Sequence, residues 1–137
     1  MLIPHGTLVA VADGSGLSLY RNSGTEIAPK LSPLPTPKLD PHSKDSGKRH
    51  RASLANPDSH IREEDSLAAA IAEWLNQQAL EGKLEHVAVV APAKFLGEMR
   101  RNYHKALQAK LVVELVKDLR ERPPEQIEAE LKRASAS

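Results

Sequence analysis

Two-metal phosphodiester chemistry needs carboxylates gathered from separate elements, because a pair of Mg²⁺ ions stabilises both the attacking and the leaving oxygen. Asp13 ends an apolar run over residues 7–12, and Glu63, Glu64 and Asp65 stand at the start of a long helical stretch. Asp13 with Glu63 or Glu64 could supply two ligands. The later strand that would supply the third ends Val90-Ala91-Pro92 without an acid, and Asp118 lies beyond the following strand. The same residues have a simpler use. Aspartate before glycine holds turns, and acids in a first helical turn complement the helix dipole.

The second group is cationic. Between Lys30 and Arg62 there are seven Lys/Arg and three acids, a net charge of +4. Lys44, Lys48, Arg49, His50 and Arg51 form its centre and could contact phosphates of RNA or an acidic protein. Arg100 and Arg101, with His104 and Lys105 nearby, form a further cationic group that could join them. A solvated loop and a charged helix end are the alternatives. His5, His42, His50 and His60 have no i,i+4 pairing on an expected helix and no cysteine beside them, so no metal site is expected. Gly14-Ser15-Gly16 lacks the spacing of a nucleophile elbow. No P-loop or dinucleotide fingerprint appears, so no cofactor is expected.

These residues must be positioned by a small fold. The chain has 137 residues, net charge +1 and no cysteine. One domain over 1–137 is expected, with a real core and no disulfide or thiolate metal site. No apolar run approaches the roughly 20 residues that span a bilayer, and the start MLIPHGTLVAV lacks a basic n-region and a cleavage site. A soluble, cytoplasmic protein without a membrane partner is expected. Aromatics are limited to Tyr20, Trp74, Phe95 and Tyr103, too few for a base-stacking platform.

The stretch TLVAVADGSGLSLYRN reads as a hairpin. Both alternating sets of its first run are apolar, so that strand should be covered on both faces. Leu17 and Leu19 alternate with Ser18 and Tyr20, which predicts one wetter face. Asp13-Gly14-Ser15-Gly16 between them is a hairpin signal, because glycine accepts the positive φ of tight hairpin turns. Residues 25–31 fit a third strand, at an edge because of Pro29. Residues 32–60 form a long, basic, proline-rich loop that cannot bury enough surface to offset its ordering entropy.

A helix is predicted over residues 62–81, with Leu67, Ile71, Trp74 and Leu75 on one face and Gly82 as its stop. HVAVVA at 86–91 is a central, buried, parallel strand. Pro92 opens a helix with Phe95, Leu96, Met99 and Tyr103 inward. Residues 111–119 fit a strand, although Leu107, Leu111 and Leu115 also fit a helix. Pro123 and Pro124 open a last helix with Ile127 and Leu131 inward. The order β-β-β-α-β-α-β-α gives a mixed five-stranded α/β sheet with helices on its faces. Ribonuclease H-like domains and the middle domain of eukaryotic-type release factors share that order, which is an analogy of fold and not of function.

The stretches VAVADGSGLSLYRN, EEDSLAAAIAEWLN, HVAVVAPAKFLGEMRRNYHKAL and VVELVKDLRERPPEQIEAEL resemble the bacterial host attachment protein family. Relatives of the release-factor middle domain belong to the same grouping. The resemblance covers nearly the whole chain, and its most specific parts are APxxxLGxxR and KDLxxxPxxxIE. It implies a release-factor-like α/β domain and brings no catalytic residues with it. In release factors, a loop carrying Gly-Gly-Gln follows the hairpin and precedes a long helix. Here that loop has one glycine, Gly47, and no glutamine. The resemblance therefore implies no peptide release. It leaves a non-enzymatic domain binding RNA, the ribosome or an acidic protein, with a Mg²⁺-dependent phosphodiesterase or a protein scaffold joined through a sheet edge as alternatives. The oligomeric state is left open.

Overall fold

The computed structural model describes the backbone of residues 3–39 and 59–136, and the side chains of 3–39 and 65–134. Strands β1 (Leu8–Asp13), β2 (Gly16–Asn22) and β3 (Leu31–Leu34) come first. Helix α1 (Ser59–Leu80), strand β4 (Val87–Ala91), helix α2 (Ala93–Arg100) and the single turn α3 (Lys105–Gln108) follow. Strand β5 (Leu111–Val116) and helix α4 (Pro124–Ala136) complete the order. The sheet runs β3-β2-β1-β4-β5. β1 pairs antiparallel with β2 and parallel with β4, while β2–β3 is antiparallel and β4–β5 parallel. This is the mixed five-stranded α/β sheet that the sequence predicts.

The alternating apolar sets of β1 separate the core into two layers. Leu8, Ala10 and Ala12 face α1 and α2, meeting Ile71, Leu75 and Leu96. Val9 and Val11 face α4, meeting Ile127 and Leu131. β4 is buried along its whole length for the same reason. The second layer changes the reading of β2. Tyr20, expected on a wetter face, is buried with the α4 layer, because α4 covers the side of the sheet that Ser18 and Tyr20 share.

The third strand is displaced from its expected place. Residues 25–30 turn, Ile27 is exposed, and pairing begins only at Leu31. Asn22 causes the turn. Its fully buried side chain donates from Nδ2 to the carbonyls of Ile3, Pro4 and Thr25, at 3.1, 3.3 and 3.3 Å. Its Oδ1 accepts from the amides of Gly24 and Lys30, both at 2.9 Å. Backbone groups of residues 24–30 that a strand would pair are thus satisfied around one side chain.

α1 starts three residues earlier than expected, so Glu63, Glu64 and Asp65 lie past its first turn, where the dipole's pull has faded. It stops as expected. Gly82 takes φ +72, Lys83 N–H donates to Gln78 O and Gly82 N–H to Ala79 O, the paired bonds of a Schellman cap.

α2 is shorter than expected and excludes Tyr103. Asn76 on α1 donates to Asn102 O at 2.8 Å and accepts from His104 N–H at 2.9 Å. These bonds draw the chain out of α2. His104 Nδ1 then accepts from Ala106 N–H and caps α3, so Lys105 belongs to α3. No helix among the described residues is long and apolar enough to cross a membrane.

Two predictions follow from these fasteners. Asn22→Ala strips partners from several buried backbone groups and lowers the unfolding free energy by about 3 kcal/mol in a urea titration. Glu130 on α4 binds Lys117 Nζ at 3.0 Å and Arg133 Nη1 at 3.2 Å, and Lys117 foremost lowers its pKa below 4.5. A carboxylate depressed in the folded state stabilises above its unfolded pKa and loses that contribution as pH falls through the folded value. Glu130→Gln should therefore lower Tm at pH 7, and the gap from the parent should close as the pH falls below 4.5.

Candidate functional site

The hairpin tip is the first place where the sequence allows chemistry. Residues 14 and 15 join β1 to β2, with Asp13 paired opposite Gly16. Neither Gly14 nor Ser15 takes positive φ, but Gly16 does, at +157, so the glycine dependence that the sequence predicts falls on Gly16. The Asp13 carboxylate closes the turn. Its Oδ1 accepts from Ser15 N–H at 2.8 Å and from Gly16 N–H at 3.1 Å, the geometry of an Asx turn.

Arg120, from the connection between β5 and α4, lies over this turn. Its Nη1 is 3.8 Å from Asp13 Oδ1. A Cβ added at Gly16 would sit 3.0 Å from Arg120 Nη2 and 3.2 Å from Cζ. A side chain at Gly16 would crowd the guanidinium, and the φ of +157 there disfavours one as well. Nothing in the periodicity of the sequence marks Arg120, since its partner is more than a hundred residues away.

The remaining acids of the metal reading do not converge among the described side chains. No group of three His, Asp or Glu there could hold a metal ion. Asp65 is exposed. The side chains of Glu63 and Glu64 lie outside the described residues, as do Lys44, Lys48, Arg49, His50 and Arg51.

Arg100 and Arg101 are described. Arg100 donates from Nε at 3.1 Å and Nη2 at 2.9 Å to Glu114 Oε1 on β5, and this partner raises its pKa. The Tyr103 hydroxyl lies beside the same carboxylate. Burial first, then the charge of Glu114, pushes its pKa well above 10. Arg101 is highly exposed and pairs with Glu98 at 3.3 Å. The helix rise separates this group from the point where the long basic segment rejoins the fold. Its anchor, Asn76, is 17 residues from Ser59 along α1, about 25 Å at 1.5 Å per residue.

Asp13 as a turn fastener makes a measurable prediction. Asp13→Ala lowers stability by about 2 kcal/mol, while Asp13→Asn retains the acceptor oxygen and costs less than about 1 kcal/mol. Millimolar Mg²⁺ leaves Tm unchanged in the parent and in both variants. A metal-dependent rise in Tm that Asp13→Asn abolishes would instead identify Asp13 as a ligand.

With this geometry in place, comparison with known families identifies the architecture. Residues 6–131 match the model of Bacterial archaeo-eukaryotic release factor family 12. That span contains all five strands and runs into α4. The comparison with curated proteins gives no match. From the coverage of the family model, the chain belongs to Bacterial archaeo-eukaryotic release factor family 12.

Proposed function

We propose that this chain is a non-enzymatic binding domain that engages RNA or the ribosome through the basic segment between β3 and α1. One observation carries the reading. In release factors the segment between the hairpin and the long helix holds Gly-Gly-Gln, whose glutamine positions water at the peptidyl-tRNA ester. Here it holds Lys48-Arg49-His50-Arg51, a single glycine, Gly47, and no glutamine. The chemistry of release is gone, and the charge that attracts a phosphate backbone remains. Membership of a release-factor family supports RNA over an acidic protein as the partner. A phenotype in attachment to host cells, which the resemblance to host attachment proteins implies, would be a downstream consequence of such binding. The phosphodiesterase reading gains no support from Asp13, whose Oδ1 already holds two amides.

Capture of the tagged protein from its own cell lysate tests the proposal, with RNA and co-purifying proteins read with and without nuclease. RNA or ribosomal components lost on nuclease treatment support it. A nuclease-resistant acidic protein as the sole partner would overturn it. With a purified RNA target, replacing Lys48, Arg49 and Arg51 by Ala weakens binding and reduces the slope of log K against log salt by about two to three. Tm is expected to stay that of the parent, which separates a loss of binding from a loss of fold.

A further inference from the structure

The net charge of +1 conceals a segregation of charge along the chain. Residues 30–62 carry +4. Residues 100–110 also carry +4, with Arg100, Arg101, Lys105 and Lys110 and no acid among them. That leaves −7 for the rest of the chain. The first stretch contains the basic segment between β3 and α1. The second is built into the fold, at the end of α2, in α3 and just before β5.

The chain carrying the second stretch is held at several points. Asn76 of α1 is buried, donates to Asn102 O and accepts from His104 N–H. Asn102 Nδ2 donates back to Glu98 O at 3.0 Å. Tyr103 N–H donates to Arg100 O, and Lys110 N–H to Leu107 O. Leu107, fully buried, pins α3 to the core layer that includes α1. Consecutive turns thus gather the stretch at one end of the molecule. Arg100, Arg101, His104 and Lys105 are exposed there, and Lys110 is partly exposed. A backbone fixed in advance lowers the ordering cost of binding.

Two of the four cations have a structural use. Glu114 holds Arg100 at 2.9 Å, and Glu98 holds Arg101 at 3.3 Å. The dipole of α2 also favours cations at its end. Neither reason extends to Lys105, which opens α3, or to Lys110, which stands between α3 and β5. Among the described residues neither lysine has an ion-pair partner. Arg101 is available as well, since so exposed a pair is worth little. No large apolar side chain of the stretch is exposed. Lysines without apolar neighbours suit phosphate oxygens, and protein interfaces are depleted of them.

We propose that Lys105, Lys110 and Arg101 form a second phosphate-binding surface for RNA. RNA as the partner rests on the proposed function, but the surface shares no residue with the basic segment.

Binding of the full chain to a labelled oligouridine of about 20 nucleotides, followed by fluorescence anisotropy over a salt series, tests this. Lys105→Ala with Lys110→Ala is expected to raise the dissociation constant about tenfold. It should lower the slope of log K against log salt by about 1.4, at roughly 0.7 per phosphate of a single strand. Lys94→Ala with Lys132→Ala removes the same charge from exposed sites outside the stretch. That variant is expected to change the constant less than about twofold, because salt screens distant charges. Equal losses in the two double variants overturn the proposal, since net charge alone would then explain them. It is also overturned if Lys105→Ala with Lys110→Ala binds as the parent does while replacing Lys48, Arg49 and Arg51 by Ala weakens binding, and the basic segment then stands alone. The reverse pattern keeps this surface and removes the basic segment. A parent that does not bind the oligouridine at about 50 mM salt overturns both.

Discussion

β1 has no face toward water, and the rest of the molecule depends on that constraint. A strand buried on both sides can carry only apolar side chains in its interior. Leu8 through Ala12 obey this, and their alternation supplies both core layers at once. Parallel neighbour β4 obeys it more strictly, with every residue buried. Charged groups are thereby pushed to the ends of strands and to the edges of the sheet. Asp13 stands where β1 leaves the core, Arg120 beyond the end of β5, and Glu114 on an edge strand. Polar chemistry in this fold belongs to its perimeter.

Much of that perimeter is already engaged in closing the structure. Asp13 holds the hairpin turn, Asn22 gathers the segments before β1 and before β3, and Asn76 binds the connection leaving α2. Each is a short polar side chain satisfying backbone groups that no strand or helix reaches. Removing one leaves its backbone donors and acceptors without that partner, which costs most at Asn22, where the bonds are buried or part-buried. These residues have the types that reactive sites use, and the structure gives them the work of fastening loops. The Arg100–Glu114–Tyr103 group is similar: it ties the end of α2 to the outer strand, and it also removes the net charge from that strand.

The strands and helices were legible because their apolar periods are long and unbroken. HVAVVA and the alternation of LVVELV led to β4 and β5, and Gly82 marked the stop of α1. The misreadings share one physical origin. Residues 25–31 have strand-like composition, but the amides of Gly24 and Lys30 are held by Asn22, a side chain outside the segment. The stripe Phe95, Leu96, Met99 and Tyr103 is continuous in sequence, yet Asn76 on another helix breaks α2 before Tyr103. The hairpin forms where Asp13-Gly14-Ser15-Gly16 predicts it, with positive φ at Gly16, and the Asp13 carboxylate holds the turn amides in addition. Side-chain bonds to the backbone, near or far in sequence, leave no mark in the apolar periodicity. Arg120 over Gly16 is the extreme case.

Of the candidate site, the sequence supplied the residue types and the structure supplies their separation. Arg100 and Arg101 belong to the end of α1 marked by Asn76, while residues 32–60 rejoin the fold at the other end, about 25 Å away along a helix that rises 1.5 Å per residue. A helix of that length is rigid, and it holds Arg100 and Arg101 well away from Ser59. Membership of the release-factor family therefore fixes the scaffold and not the chemistry, because the segment between β3 and α1, where release factors carry Gly-Gly-Gln, has one glycine and no glutamine here.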